Sequence, residues 1–236
     1  MSKFSISKST YLKGLQCKKS LYLHKNFSKY KDAIPEHRLK KFSMGTAIGF
    51  RAHELFPGGE NVAEVYSLQK NLCLSRTKVL IKENRIPIYE AAFEFNNTLI
   101  YLDMLVYNNN SWTAIEVKSS NAINQTFLND AALQYYVITK SGFVLDDFKI
   151  AILTIEDKEL HYKYQSKELF QLISVIDICR ERFNEIEENL IELKATLANP
   201  NMPKVEMGDH CHAPYTCDFI GFCSKQNSDP TEGLFA

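Results

Sequence analysis

Three carboxylates and a lysine fall on three consecutive stretches that read as strands. Residues 89–95, 99–107 and 112–118 are rich in aromatic and β-branched residues, and Asn96-Asn97 and Asn108-Asn109-Asn110 separate them. Asparagine tolerates positive φ, so both breaks read as tight hairpins. With Asn96-Asn97 as a two-residue loop, Glu90 falls opposite Asp103; with Asn109-Asn110 as the second, Asp103 falls opposite Glu116. Opposed residues share a face with Cβ atoms about 4.5–5.5 Å apart, and strand alternation puts Lys118 on the face of Glu116. Acids so placed repel one another and require a cation; oxygen ligands favour magnesium or manganese over zinc. The plainer reading is a solvent-facing acidic stripe. It sits badly with the neighbours, since Asp103 lies within Leu99-Ile-Tyr-Leu-Asp-Met-Leu-Val-Tyr107 and Glu116 within Ala114-Ile-Glu-Val117.

The second chemical signal is cysteine. Of Cys17, Cys73, Cys179, Cys211, Cys217 and Cys223, the last three form one short cluster with five residues in each gap. This is no secreted disulfide framework; reduced thiolates that hold a metal fit better. A site of four thiolates, including Cys17, would clamp the first helix to the tail. Structural zinc and an iron–sulfur cluster both accept that ligand set, and His210 and His212 stay open as alternative ligands. Cys73 reads as a small buried apolar residue.

These residues need elements to place them. Ser7 or Ser9 caps a short helix through Leu15, and a second helical piece runs from Lys18 to Asn26. Glu36 to Phe56 reads as a long helix ended by Pro57-Gly58-Gly59, with His53 in its last turn. Further helices are expected over 67–83, 124–139 and 167–197, and a buried strand over 148–155.

The chain's 236 residues, 45% of them apolar and 24% charged, suit one soluble domain. Met1 to Thr10 is polar and no run approaches the ~18 apolar residues of a membrane span, so a cytoplasmic location is expected. Net charge is zero, yet residues 1–41 hold eleven lysines and arginines against Asp32 and Glu36. Interleaved with Tyr11, Tyr22, Phe27 and Tyr30, that segment reads either as a nucleic-acid surface or as a solvated helical face.

At its acids the chain resembles the PD-(D/E)XK nuclease superfamily, through Leu102-Asp103 and, on the next strand, Glu116-Val117-Lys118. Leu102 stands where the signature has proline. Met44-Gly45-Thr-Ala-Ile-Gly49-Phe-Arg-Ala-His53 is similar to the histidine motif of RecB-like nucleases and of the CRISPR-associated exonucleases similar to them. Gln134 resembles the glutamine that follows the Glu-x-Lys strand in that branch and faces substrate with a nearby tyrosine. The tyrosine usually comes four residues later, where this chain has Ile138, leaving Tyr135 or Tyr136 to serve. One early cysteine and three late ones resemble the iron–sulfur nucleases of this group, AddB among them, although their late spacing is Cys-x2-Cys-x5-Cys.

The resemblance implies an α/β, restriction-endonuclease-like core: a central mixed sheet with an antiparallel meander, flanked by helices. It implies one nuclease domain over 1–236, in which residues 1–26 and 204–223 form a subdomain around a 4Fe-4S cluster on Cys17, Cys211, Cys217 and Cys223. The implied activity is Mg- or Mn-dependent cleavage of DNA, as an exonuclease on single-stranded ends. Asp103, Glu116, the Val117 carbonyl and His53 would hold the metal, with Glu90 completing the acidic site. Lys118 would act at the attacking water, and Gln134 and Tyr135 would face substrate. The competing class is a catalytically idle iron–sulfur DNA-binding or adaptor module, against which the intact acids and Lys118 argue.

Overall fold

The computed structural model describes residues 4–83, 86–155 and 163–228; Lys3, counted above in the basic segment, lies outside them. A mixed sheet of seven strands forms the middle, with β2 (Glu60–Asn61) to β7 side by side in chain order and β1 (Ile6–Ser7) pairing on β4; α4 (Val62–Val65) follows β2 directly. Strands β3 (Ile88–Phe95), β4 (Thr98–Asn108) and β5 (Ser111–Val117) make the expected antiparallel meander. β5 then pairs in parallel with β6 (Asp147–Leu153). A parallel neighbour needs a crossover, and α6 (Gln125–Lys140) supplies it, opened by the Asn124 side chain accepting the Phe127 N–H.

Helices cover both faces. One face packs its Leu105, Ala114 and Ile150 against Ala131, Leu133 and Val137 of α6, Leu80 of α5 (Lys70–Glu83) and Ile186, Leu190 and Leu193 of α9 (Phe183–Ala198). The other packs Met104, Val106, Ile115 and Ala151 against Ile48 and Ala52 of α3 (Glu36–Ala52). A third, smaller core of Leu23, Phe219 and Phe222 joins α2 (Lys18–Asn26) to α10 (Ile220–Ser228). No helix among the described residues is long and apolar enough to cross a membrane.

The expected helix over 167–197 is four elements instead. Helix α7 (Ser166–Leu169) leads into strand β7 (Phe170–Ser174), followed by α8 (Ile176–Glu181) and then α9. Apolar residues at 169, 172, 173 and 176 satisfy a helical period, but antiparallel pairing with β6 gives Leu169 and Phe170 a buried seat beneath α3. Tertiary burial overrides the local pattern. The 67–83 helix starts late, at Lys70, because Ser67 and Leu68 turn the chain with φ of 48° and 58°. In the first helix, α1 (Lys8–Gln16), the cap is Ser7, whose side chain accepts the Thr10 N–H.

Candidate active site and cysteine recess

The two asparagine hairpins place the acids as counted. Asn96 and Asn97 have φ of 46° and 57°, and Asn109 and Asn110 have 50° and 62°, the two-residue turn whose twist matches that of its strands. Phe95 pairs with Thr98, and Asn108 with Ser111. Regular pairing is interrupted at the acids themselves. Glu90 lies between the Tyr89–Met104 and Ala91–Leu102 pairs with a φ of 52°, a backbone conformation that costs a non-glycine residue ~1–3 kcal/mol. Asp103 Oδ2 accepts the Val117 N–H at 2.6 Å, just past the last β4–β5 pair.

Glu90, Asp103, Glu116, Val117 and Lys118 line a cavity of about 390 Å³, walled by Gly45, Gly49, Phe50 and His53 on one side and Phe127 of α6 on the other. Glu116 is 3% exposed and accepts four hydrogen bonds. Lys118 Nζ donates to Oε1 at 2.7 Å, Lys8 Nζ to both oxygens at 3.1 and 3.0 Å, and Gln134 Nε2 to Oε2 at 2.9 Å. Asp130, also buried, accepts from Lys118 at 2.5 Å and from Gln134 at 3.1 Å.

Buried charges settle their protonation through these partners. Burial, with Glu116 adding to it, pushes the Asp103 carboxyl up to about 8. Burial also opposes ionisation of Glu116, but Lys118 and Lys8, with hydrogen bonds from Lys118 and Gln134, outweigh it and hold this carboxyl well below the usual range. Of these two carboxyls, Glu116 is therefore the more readily ionised and Asp103 the less. Burial raises Glu90 as well. The Lys118 ammonium overcomes its own burial because Asp130 and Glu116 surround it.

His53 follows α3 in a single 3-10 turn, and its ring stacks on Tyr89 with centroids 3.8 Å apart. The Tyr89 hydroxyl donates to the Phe56 carbonyl at 2.5 Å and fixes the stack. Burial lowers the His53 pKa, which favours the neutral imidazole that can ligate. Carboxylates and a neutral imidazole on one cavity are donors of the kinds that magnesium and manganese accept.

Two expected substrate contacts fall elsewhere. Gln134 is 0% exposed and holds Glu116 and Asp130 from within, because its position on α6 faces the sheet. Tyr135 points to α8 and α9, where its ring meets Phe183 edge-on at 6.2 Å; it does not line the cavity.

The cysteines gather across the length of the chain. Cys17, Cys211, Cys217 and Cys223 line one recess with Ser20, Leu23, His210 and Phe219. Cys17 caps α2 by accepting the Ser20 N–H, and burial raises the thiol pKa of Cys17 and Cys223. His210 stays beside Cys211, its Nε2 3.7 Å from Sγ, while His212 is exposed. Cys73 and Cys179 lie apart, in the main core. Polar contacts make the same clamp. Asp218 takes Lys13 and Arg38, Gln16 Nε2 donates to the His210 and Tyr215 carbonyls at 2.6 Å each, and the Gly221 N–H donates to Asp32 at 3.0 Å. A Cβ on Gly221 would come within 2.4 Å of Asp32 Oδ1, so a larger residue there would push that carboxylate aside. Four thiols in one recess suit an iron–sulfur cluster or zinc in chemistry and number. Among the described residues, no three His, Cys, Asp or Glu side chains stand close enough together to hold an ion as they are.

No protein-family model matches the chain, and no curated protein matches it. Among solved structures, one described as "Crystal structure of SSO0001" has a TM-score of 0.37 and 11% identity, over 82% of this chain and 78% of its own. So distant a likeness carries no function.

Sequence reasoning missed Lys8 and Asp130. Asp130 had a local signal, lying one helical turn before Gln134 on α6. Lys8 had none, since it meets Glu116 from 108 residues away. It belongs to the basic segment, part of whose charge is met within the chain: Lys8, Lys13 and Arg38 pair with the buried or half-buried Glu116 and Asp218, and Lys18 and Lys40 make surface pairs with Glu192 and Glu36.

Proposed function

We propose that this chain is a divalent-metal-dependent DNA nuclease, acting on single-stranded ends from a restriction-endonuclease-like core. The observation that carries the reading is the convergence of Glu90, Asp103, Glu116, Lys118 and His53 on one cavity. Asp103, Glu116, the Val117 carbonyl and His53 are the residues that would hold magnesium or manganese. Such an ion lowers the pKa of a bound water and offsets charge on a phosphate. The protein's own part is to orient. Lys118, with two of its three ammonium hydrogens held by Glu116 and Asp130, would present the third to the attacking water. Gln134 and Lys8 keep the Glu116 carboxylate in place. The four cysteines of the recess would hold a 4Fe-4S cluster that secures the tail to α1 and α2.

The test is manganese-dependent digestion of an end-labelled single strand by anaerobically purified protein, beside Asp103→Asn. Cleavage by the wild type and none by the variant is expected. Undiminished cleavage by Asp103→Asn, or none by the wild type, overturns the reading.

A further inference from the structure

The α3 wall of the cavity contains two glycines that the fold does not require. Gly45 and Gly49 sit one turn apart in the helix interior, where each is less favourable than alanine by ~1 kcal/mol. Neither has a positive φ, and a Cβ on either would meet nothing within 4 Å. The chain gains no turn and no close approach from them. What they leave open is space in the cavity that both of them line.

Beside Gly49, Phe50 lines the same cavity and is 54% exposed. Its helix already has an apolar seam without it, since Ile48 and Ala52, with Met44, pack on the sheet. Phe50 touches His53 at 78° with centroids 5.7 Å apart, and much of its ring is left to solvent at the mouth of a charged site. Across the opening stands Phe127, with Lys118 Nζ 5.3 Å from its ring centre. The cavity thus has two characters: acids and an ammonium on the floor, and an open aromatic beside a glycine gap on the wall.

A nucleotide has the same two characters. Resting on the nuclease reading above, we propose that Phe50 is a stacking platform for the base next to the scissile phosphate, with the Gly45–Gly49 gap as the slot through which that strand passes. In a duplex both faces of a base are covered by its neighbours. Away from a duplex end, only an unpaired, unstacked base can offer a face to Phe50, so this wall selects single strands over the duplex interior. The proposal concerns binding and specificity; Phe50 takes no part in the chemistry.

The experiment compares a short single strand with its duplex by fluorescence anisotropy, in Ca²⁺ so that binding is read apart from turnover. Phe50→Ala is expected to lose about tenfold in single-strand affinity with duplex affinity unchanged, and Phe50→Trp to keep the single-strand affinity. Trp112 is the chain's one tryptophan. In a Trp112→Phe background, the indole of Phe50→Trp becomes a direct reporter, and single strand should quench it. Unchanged single-strand affinity in Phe50→Ala, an equal loss on both substrates, or an indole indifferent to DNA overturns the proposal. Manganese-dependent cleavage by the wild type is scored separately. Cleavage with a silent Phe50→Ala rejects the platform and keeps the nuclease; a Phe50 effect without any cleavage does the reverse.

Discussion

The acid cavity draws its strand residues from segments that follow one another in the chain, whereas the cysteine recess takes Cys17 from one end and Cys211, Cys217 and Cys223 from the other. The two differ in what holds them. Ladder pairing and two hairpins force the acids together against their mutual repulsion, and two lysines and a glutamine offset part of it. In the recess, nothing in the sheet brings the partners together. A small apolar core, the Asp218 ion pairs and the thiols themselves must do so. One region is strained by its own charges on a rigid frame, and the other is the frame's closure. Substitutions should therefore separate them, cutting turnover in the first and stability in the second.

The widest separation is expected at Asp103. Asp103→Asn keeps the shape and removes a charge that burial and Glu116 already disfavour. Cleavage should fall by about 10³-fold, on the scale of a lost electrostatic stabiliser, while the melting temperature stays level or rises. A variant that melts much earlier yet still cleaves would break the comparison.

Cys17→Ser should do the opposite. Ligand assembly and folding are linked, so loss of one thiolate should bleach the absorption near ~400 nm expected of a thiolate-bound cluster. The melting temperature should drop by roughly 10 °C, a loss of about 3 kcal/mol in a chain of this size. Activity per folded molecule should survive in the cold. Cys73→Ser and Cys179→Ser, both in the main core, should keep the colour with only a packing penalty. Colour that survives Cys17→Ser and fails in either control would move the ligand set. Colourless protein with stoichiometric zinc would remove iron and leave the clamp.

Lys118→Ala sharpens the division within the cavity. Turnover should fall about 10²-fold, the range of a lost proton-handling or orienting group, with DNA affinity in Ca²⁺ much less affected. Equal losses would make Lys118 a phosphate grip.

How far the sequence reveals this arrangement depends on the range of the contact. The register of Glu90, Asp103 and Glu116 follows from two Asn pairs and strand alternation, signals confined to a few residues. The short spacing of Cys211, Cys217 and Cys223 marks them as one group, whereas Cys17 is singled out as their partner by the resemblance to iron–sulfur nucleases. Strand β7 is hidden, since its apolar spacing suits a helix equally well until β6 is there to pair with it. The φ of Glu90 and the inward turn of Gln134 are likewise set by packing. Lys8 reads as one basic residue among eleven, and only the fold puts α1 across the end of β5.

That helix joins the two regions, with Lys8 at its start and Cys17 just beyond its end. Lys8→Met tests whether the join matters to the acids. Its ammonium spans both Glu116 oxygens, and the Lys8 side chain is 25% exposed. Removing one partner of a fully buried pair costs ~3–5 kcal/mol, but Lys118 and Gln134 stay on Glu116 and solvent reaches Lys8. A penalty of about 1 kcal/mol at neutral pH is the smallest effect predicted here. Its sign with pH follows from Glu116, whose carboxyl is held below its ordinary value. Such a group stabilises the fold above its unfolded pKa and loses that contribution as pH falls through the folded one. The gap between Lys8→Met and wild type should therefore be full at neutral pH and close in acid, read as denaturation midpoints across a pH series. A gap that widens in acid would show that Lys8 acts on the fold by some route other than Glu116.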